Sequence, residues 1–147
     1  MTVTIALFNN KGGVGKTTLT YHLAHMLARL GHRVVAADLD PQSNLTSAFF
    51  DDRFLDDLWT GDLSILRGVT PLLRGLGDIA EVAPVRINDR LFVVPGHLGL
   101  SRFEDSLSEA WPKCFVGDEA SLRRTSAFHR VTGQLHHTPR WCSWSFG

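Results

Sequence analysis

The run Asn9-Asn10-Lys11-Gly12-Gly13-Val14-Gly15-Lys16-Thr17-Thr18 puts three glycines, two lysines and two threonine hydroxyls within ten positions. Glycines let a backbone curl until several N–H groups point into one hollow. A helix that starts directly afterwards turns its positive dipole end toward the same hollow. A phosphate chain is the anion that such a hollow suits. Gly12, Gly13 and Gly15 permit the turn, and Val14 lies within it. Lys16 sets a cation on the β and γ phosphates, and the Thr17 hydroxyl can ligate Mg²⁺. Thr18, one step further into the helix, can reach the α phosphate. Without a ligand the same residues make a Gly-rich strand-to-helix turn; their position after an apolar run and before a helical one favours phosphate.

A second group follows at Asp38-Leu39-Asp40-Pro41-Gln42-Ser43-Asn44. An acid at the carboxyl end of a strand beside the phosphate loop stands in the crevice where open α/β sheets bind ligands. There it can order a water for in-line attack on the γ phosphate, or hold a magnesium-bound water. Taken alone, two such acids are better read as a strand end that starts a turn. Their place after the loop favours chemistry.

These residues need elements to position them. Val3 to Phe8 is a short apolar run with β-branched residues, predicted to be a buried strand. Leu19, Leu23, Leu27 and Leu30 recur at helical spacing, so Thr17 to Leu30 is a predicted helix, stopped at Gly31. Arg33 to Leu39 is a second predicted strand, which Pro41 prevents from continuing. Strand, helix, strand is a βαβ unit with parallel strands and a right-handed crossover. Between Ser43 and Gly77 the pattern is helical but broken: Leu45–Phe50, Phe54–Trp59, and a helical hairpin of Leu63–Leu66 with Pro71–Leu76. A strand pair is expected at Ala80–Ile87 and Arg90–Val94. Ser101 to Trp111 is an amphipathic helix with Ser101 as cap and Glu104 at capping-box spacing. One more helix is expected from Asp118 to about Arg130. Beyond Val131 neither period continues, although Trp141, Trp144 and Phe146 fall there.

The chain has 147 residues, enough for one domain with a sizeable core. An apolar share of 44% and a charged share of 20% are ordinary for a globular protein and argue against a disordered one. Fifteen basic and fifteen acidic residues balance, so net charge selects no partner. After Glu119 there is no acid, while Arg123, Arg124, Arg130 and Arg140 follow, giving a modestly basic end. Two cysteines, Cys114 and Cys142, suit a reducing cytosol. The N-terminal apolar run has neither the flanks of a signal peptide nor the length of a membrane span, so the expectation is cytoplasmic with no membrane partner.

KGGVGKTT resembles the deviant Walker A motif of the ParA/MinD family of partition and positioning ATPases. Asn10 stands where the ordinary P-loop spacing wants Gly, and Lys11 comes in exchange. In that family the early lysine reaches across a dimer interface to the partner's ATP. ADLDPQSN resembles the family's switch segment DxDPQxN. By that resemblance Asp40 positions the attacking water and Asp38 supports the magnesium shell, beside Thr17. RLFVVPGHLGLSRFEDSLSEAWP is similar to the family's segment in which a strand ending in Pro leads into a helix near the nucleotide base. The resemblance covers about Thr2 to Arg130, and the first 46 residues carry its diagnostic motifs.

The resemblance implies an α/β fold of the P-loop NTPase type, a parallel sheet with flanking helices. It implies ATP and Mg²⁺, with Lys11, Lys16 and Asp40 as the catalytic group and Lys11 through Thr18 as the nucleotide loop. As partners it implies a second copy in an ATP-dependent homodimer, DNA, and a centromere-binding protein. The implied task is partition of plasmids or chromosomes. The chain also departs from the pattern. No apolar run ending in Asp follows Val94, so the Walker B acid is missing, and the family's basic C-terminal DNA surface is not found. The expected organisation is residues 1–130 as the N-terminal part of an incomplete ATPase domain and 131–147 as a tail without recognisable structure. Non-native origin, by frameshift, is one reading of that tail. Two alternatives stay open: a non-hydrolysing remnant with weak or no nucleotide binding, and a MinD-type positioning ATPase, which needs an amphipathic basic helix that the tail lacks.

Other groupings carry less. His22 and His25 share a helix face but have no further ligand at matching spacing. His136-His137 supports adventitious metal binding only. Asp51-Asp52 and Asp56-Asp57 read as a solvated face, and four arginines without aromatic interleaving make a weak DNA signal.

Overall fold

The computed structural model describes residues 2–9, 11–61 and 63–135. Its frame is a three-stranded sheet in the order β1-β3-β2, with β1 at Val34–Ala37, β2 at Val85–Arg86 and β3 at Leu91–Val94. β1 and β3 run parallel with Val34 opposite Leu91 and Ala37 opposite Val94. β2 folds back on β3 as a hairpin, so the sheet is mixed. Asn88 makes the turn by accepting through Oδ1 from the backbone N–H groups of Arg90 and Leu91, each at 2.9 Å.

Side chains alternate along a strand, and both faces of this sheet are covered. Ala36, Val85, Leu91 and Val93 point to one side, where α1 (Lys16–Arg29), α2 (Asn44–Phe49) and α3 (Asp52–Thr60) supply Ala24, Ala28, Leu45, Leu55 and Leu58. Val35, Ala37 and Val94 point to the other. There α4 (Ile65–Arg74), α5 (Ser101–Cys114) and α7 (Ala127–Gln134) supply Ile65, Val69, Phe103, Ala127 and Val131. α6 (Glu119–Thr125) lies between α5 and α7 in the chain. Gly68 of α4 is a packing glycine. A Cβ there would stand 2.8 Å from Val82 Cγ2 and 3.1 Å from both methyls of Val131.

The first expected strand is not formed. Residues 2–9 carry no regular structure, and Val3 and Phe8 are 72% and 92% exposed. β3 is the central strand between β1 and β2, the outer edge of β1 has no strand partner among the described residues, and Val3–Phe8 does not join it. The parallel pair joins instead the Arg33 and Arg90 runs, and the strand expected from Ala80 shortens to Val85–Arg86.

The helices differ in their ends. Leu63–Leu66 and Pro71–Leu76 do not form a hairpin, because α4 continues through Pro71. Its buried face of Ile65, Gly68, Val69 and Leu72 outweighs the one hydrogen bond that proline removes. Gly75 then closes it in the left-handed conformation, at φ +64°. Ser101 is not a cap. A 3₁₀ turn at Leu98–Leu100 runs directly into α5, and the His97 side chain accepts from Gly99 N–H at 2.8 Å in that role. α5 also continues past Trp111 to Cys114. The helix expected over Asp118–Arg130 is two, broken at Ser126, whose hydroxyl donates to the Leu122 carbonyl at 2.7 Å. α7 extends to Gln134, beyond the expected boundary at residue 130.

Candidate functional site

α1 begins where the glycine loop ends. Gly15 is its N-cap at φ +84°, and Gly13 precedes it at φ +71°; both values lie where a side chain is strained. No side chain caps α1 and no acid occupies its first turn, so its dipole end is left to an outside anion. A Cβ on Gly12, Gly13 or Gly15 would meet nothing within 4 Å among the described residues, so the space before the loop is open. Lys16 Nζ donates to the Asn9 carbonyl at 2.7 Å, and the Lys11 N–H donates to Asn9 Oδ1 at 2.9 Å. Lys16 and Thr17 are half-buried, while Lys11, Gly12, Gly13, Val14 and Thr18 are exposed. An open hollow, an uncapped helix start and a lysine held by a carbonyl rather than an acid form a donor set that fits a phosphate.

The acids lie at the far end of β1. Asp38 N–H donates to the Val94 carbonyl at 3.0 Å, closing the last rung of the parallel pairing. Its side chain is buried. Oδ2 accepts from both the N–H and the hydroxyl of Thr46, at 2.8 and 2.7 Å, and Oδ1 accepts from Asp40 N–H at 3.3 Å. Burial pushes the Asp38 carboxyl above its ordinary range, with the Asp40 charge adding to it, while the bonds from Thr46 and Asp40 oppose the rise. Thr46 Oγ1 accepts in turn from Gly96 N–H at 2.7 Å. A Cβ on Gly96 would fall 2.9 Å from Ser43 Oγ and 3.0 Å from Asp38 Oδ2. Asp40 is half-buried and its Oδ1 accepts from Gln42 N–H at 2.9 Å, closing a turn over Pro41. Ser43 completes it at φ +53°, with its hydroxyl buried and, among the described residues, without a partner.

A tight turn joins α1 to β1, with His32 N–H donating to the Leu27 carbonyl at 3.1 Å, so the strand leaves from the end of the helix opposite the loop. The strand thus runs back antiparallel to α1 and packs on it through Ala24, Ala28, Val34 and Ala36, while midway along α1 Tyr21 and His25 lie against Phe49 of α2 with ring centroids 4.8 and 5.5 Å apart. The loop and the acids therefore belong to one end of the helix-strand unit. Among the described residues no hydrogen bond joins them directly.

The sequence alone assigns no role to Thr46 or Gly96, and it places Ser43 only as the unspecified position of DxDPQxN. Thr46 falls within the helical run Leu45–Phe50, and Gly96 two positions after the strand Arg90–Val94. The basic end is partly spent within the fold, since Arg123 pairs with Glu119 and Arg130 with Asp78. Arg140 and His136-His137 lie outside the described residues. Asp51 caps α3 by accepting from Phe54 N–H at 2.9 Å.

A family model described as an AAA domain matches residues 2–125. The chromosome-partitioning ATPase Soj of Thermus thermophilus is 67% identical over 43 residues, which is 29% of this chain and 17% of that protein. A solved protein from Corynebacterium diphtheriae superposes with a TM-score of 0.79 at 31% identity, over 91% of this chain and 48% of its own. Cobyrinic acid a,c-diamide synthase from Mycobacterium smegmatis, solved with bound ADP and magnesium, gives 0.58 at 27% identity over 88% and 44%. The chain spans less than half the length of these relatives. No described helix is long and apolar enough to cross a membrane. The matched stretch runs from Thr2, ahead of the glycine loop, through both acids to the end of α6, and the chain belongs to this AAA-domain family, with a sequence of the ParA/MinD type.

Proposed function

We propose that the chain binds ATP with Mg²⁺ at Lys11–Thr18 and hydrolyses it slowly, coupled to dimerisation, in the partition of plasmids or chromosomes. The observation that carries this reading is the uncapped start of α1, with Lys16 at its first turn, at the same end of the helix-strand unit as Asp38 and Asp40. Lys16 would leave the Asn9 carbonyl for the β and γ phosphates, and the N–H groups of the first turn would meet phosphate oxygens. Lys11, exposed at the loop, would reach the nucleotide of a second copy. Thr17 and Asp38 would hold Mg²⁺, which supplies charge neutralisation on the phosphates. Asp40, half-buried on a fixed turn, would orient the attacking water. Cytoplasmic location, a DNA surface and a centromere-binding partner belong to the same proposal. Isothermal calorimetry of the unaltered chain and of Lys16→Ala with Mg-ATP tests it: heat in the first and none in the second supports the site, and equal affinity removes it.

A second reading is nucleotide binding without turnover. It is favoured by the exposure of Val3–Phe8, which leaves the loop anchored to the sheet on its helix side only. Phosphate release under conditions of saturated binding separates the two.

A further inference from the structure

We propose that Thr46 is a positioning residue for Asp38, holding one carboxylate oxygen in place so that only Oδ1 remains to meet a cation or its water. The inference rests on the reading of Asp38 as part of a magnesium site, and assigns a role to a residue outside the two motifs. Asp38 Oδ2 takes both donors of Thr46, the N–H at 2.8 Å and the hydroxyl at 2.7 Å. Two short bonds to one oxygen from one residue fix the carboxylate's rotation as well as its position. Among the described residues, the second oxygen has only the 3.3 Å contact with Asp40 N–H, a weak bond that an incoming ligand can displace.

The Thr46 hydroxyl is used twice. It gives its proton to Asp38 and takes one from Gly96 N–H at 2.7 Å, so its direction is set from both sides. Gly96 belongs to the turn after β3, whose preceding residue Pro95 accepts from Ile65 N–H at 2.8 Å at the start of α4. Thr46 therefore ties the acid at the end of β1 to the end of β3 and to α4. All of this is buried: Thr46 shows no exposed surface, and there is no room for a side chain at Gly96 beside Asp38 and Ser43. A valine at position 46 would keep the volume and the backbone donor, but would free Oδ2 from one bond and strand the Gly96 N–H. Partners of metal ligands act in this way, by orienting them.

The test is the magnesium linkage of nucleotide binding, the ratio of ATP affinities with and without Mg²⁺, measured by calorimetry. Thr46→Val should lower that ratio about 10- to 100-fold, the range found for partners of metal ligands. Its Mg-free affinity should stay within about twofold, since the phosphate loop is untouched. Thr46→Ser, which retains the hydroxyl, should keep the ratio of the unaltered chain. Thermal melts confirm folding, and Thr46→Ala stands in as the hydroxyl-free variant if the valine does not fold. A hydroxyl-free variant with an unchanged ratio, or one that loses affinity equally with and without Mg²⁺, overturns the role of Thr46 alone. An unaltered chain that binds ATP with no magnesium linkage overturns the magnesium site and this inference together.

Discussion

Asp78 and Arg130 meet across 52 positions of sequence. Arg130 Nη1 donates to Asp78 Oδ1 at 2.7 Å, and Nη2 donates to Oδ2. The two-point contact fastens the segment after α4 to α7, and it draws the Asp78 carboxyl from 3.8 down to about 2, chiefly through the hydrogen bonds from Arg130.

That shift fixes a pH dependence. The folded pKa lies below the unfolded one, so the pair's stabilisation is present above 3.8 and is lost as pH falls toward 2. Asp78→Asn should therefore lower the urea midpoint at pH 7, with the gap to the unaltered chain closing between about pH 4 and about pH 2. Half-exposed ion pairs are screened, so the gap should be small and should shrink in salt. A gap that persists at the acid end of that window would mean that the substituted amide disturbs the loop by another route.

Gly68 yields a sharper stability test. Alanine there should gain about 1 kcal/mol in helix propensity. Against this, the new Cβ sits 2.8 Å from one buried valine and 3.1 Å from another, and β-branched side chains have few rotamers in which to retreat. Overpacking of this kind costs about 1–3 kcal/mol, so Gly68→Ala should be net destabilising by about 1 kcal/mol. Denaturant unfolding with an unchanged m-value checks it. A stabilised variant would show that α4 and α7 can separate at little cost.

Legibility in the sequence followed how local the cause was. The glycine turn, α1 and the strand end that carries the acids each rest on neighbours within a few residues, and their local structure was readable. The β2–β3 hairpin was readable for the same reason. The fate of Val3–Phe8 was not, because an apolar run becomes a buried strand only through pairing and cover supplied by distant parts of the chain, and no described strand pairs with it. Pro71 looked like a break because its local cost is plain, whereas the buried face that carries α4 past it is a tertiary effect. Thr46 was invisible for a related reason: its two partners, Asp38 and Gly96, lie eight and fifty positions away.

The two acids should separate by function. Asp40→Ala should leave ATP affinity nearly unchanged while reducing turnover by about 10²–10⁴-fold, the usual share of a positioned general base. Asp38→Ala should instead weaken the magnesium dependence of binding, and should also destabilise the fold. It leaves Thr46 N–H and hydroxyl buried without their acceptor, at a cost of about 1–3 kcal/mol. Phosphate release and calorimetry on both variants would decide between them. Normal turnover in Asp40→Ala with none in a folded Asp38→Ala would exchange the two roles.

The last prediction concerns the segment before the loop. Val3, Ile5 and Phe8 present 72%, 62% and 92% of their surface to solvent, and Leu19 and Met26 are exposed along α1, with Leu30 exposed at its C-terminal cap. Isolated apolar residues on a surface mean little, but an unpaired segment that carries several in succession is a template for association. The chain should therefore self-associate at micromolar concentration. Ile5→Lys with Phe8→Lys should shift the population toward monomer by placing charge on the unpaired segment. Neither side chain is buried in the core, so unfolding free energy should change by no more than about 0.5 kcal/mol per substitution. Light scattering after size exclusion gives the first quantity, and urea denaturation gives the second. If the double variant unfolds at a much lower urea concentration, Val3–Phe8 is packed in solution and the strand expected from its apolar run does form there. If it folds as before and still associates, the contact lies elsewhere, and the exposed face of α1 is the next to substitute.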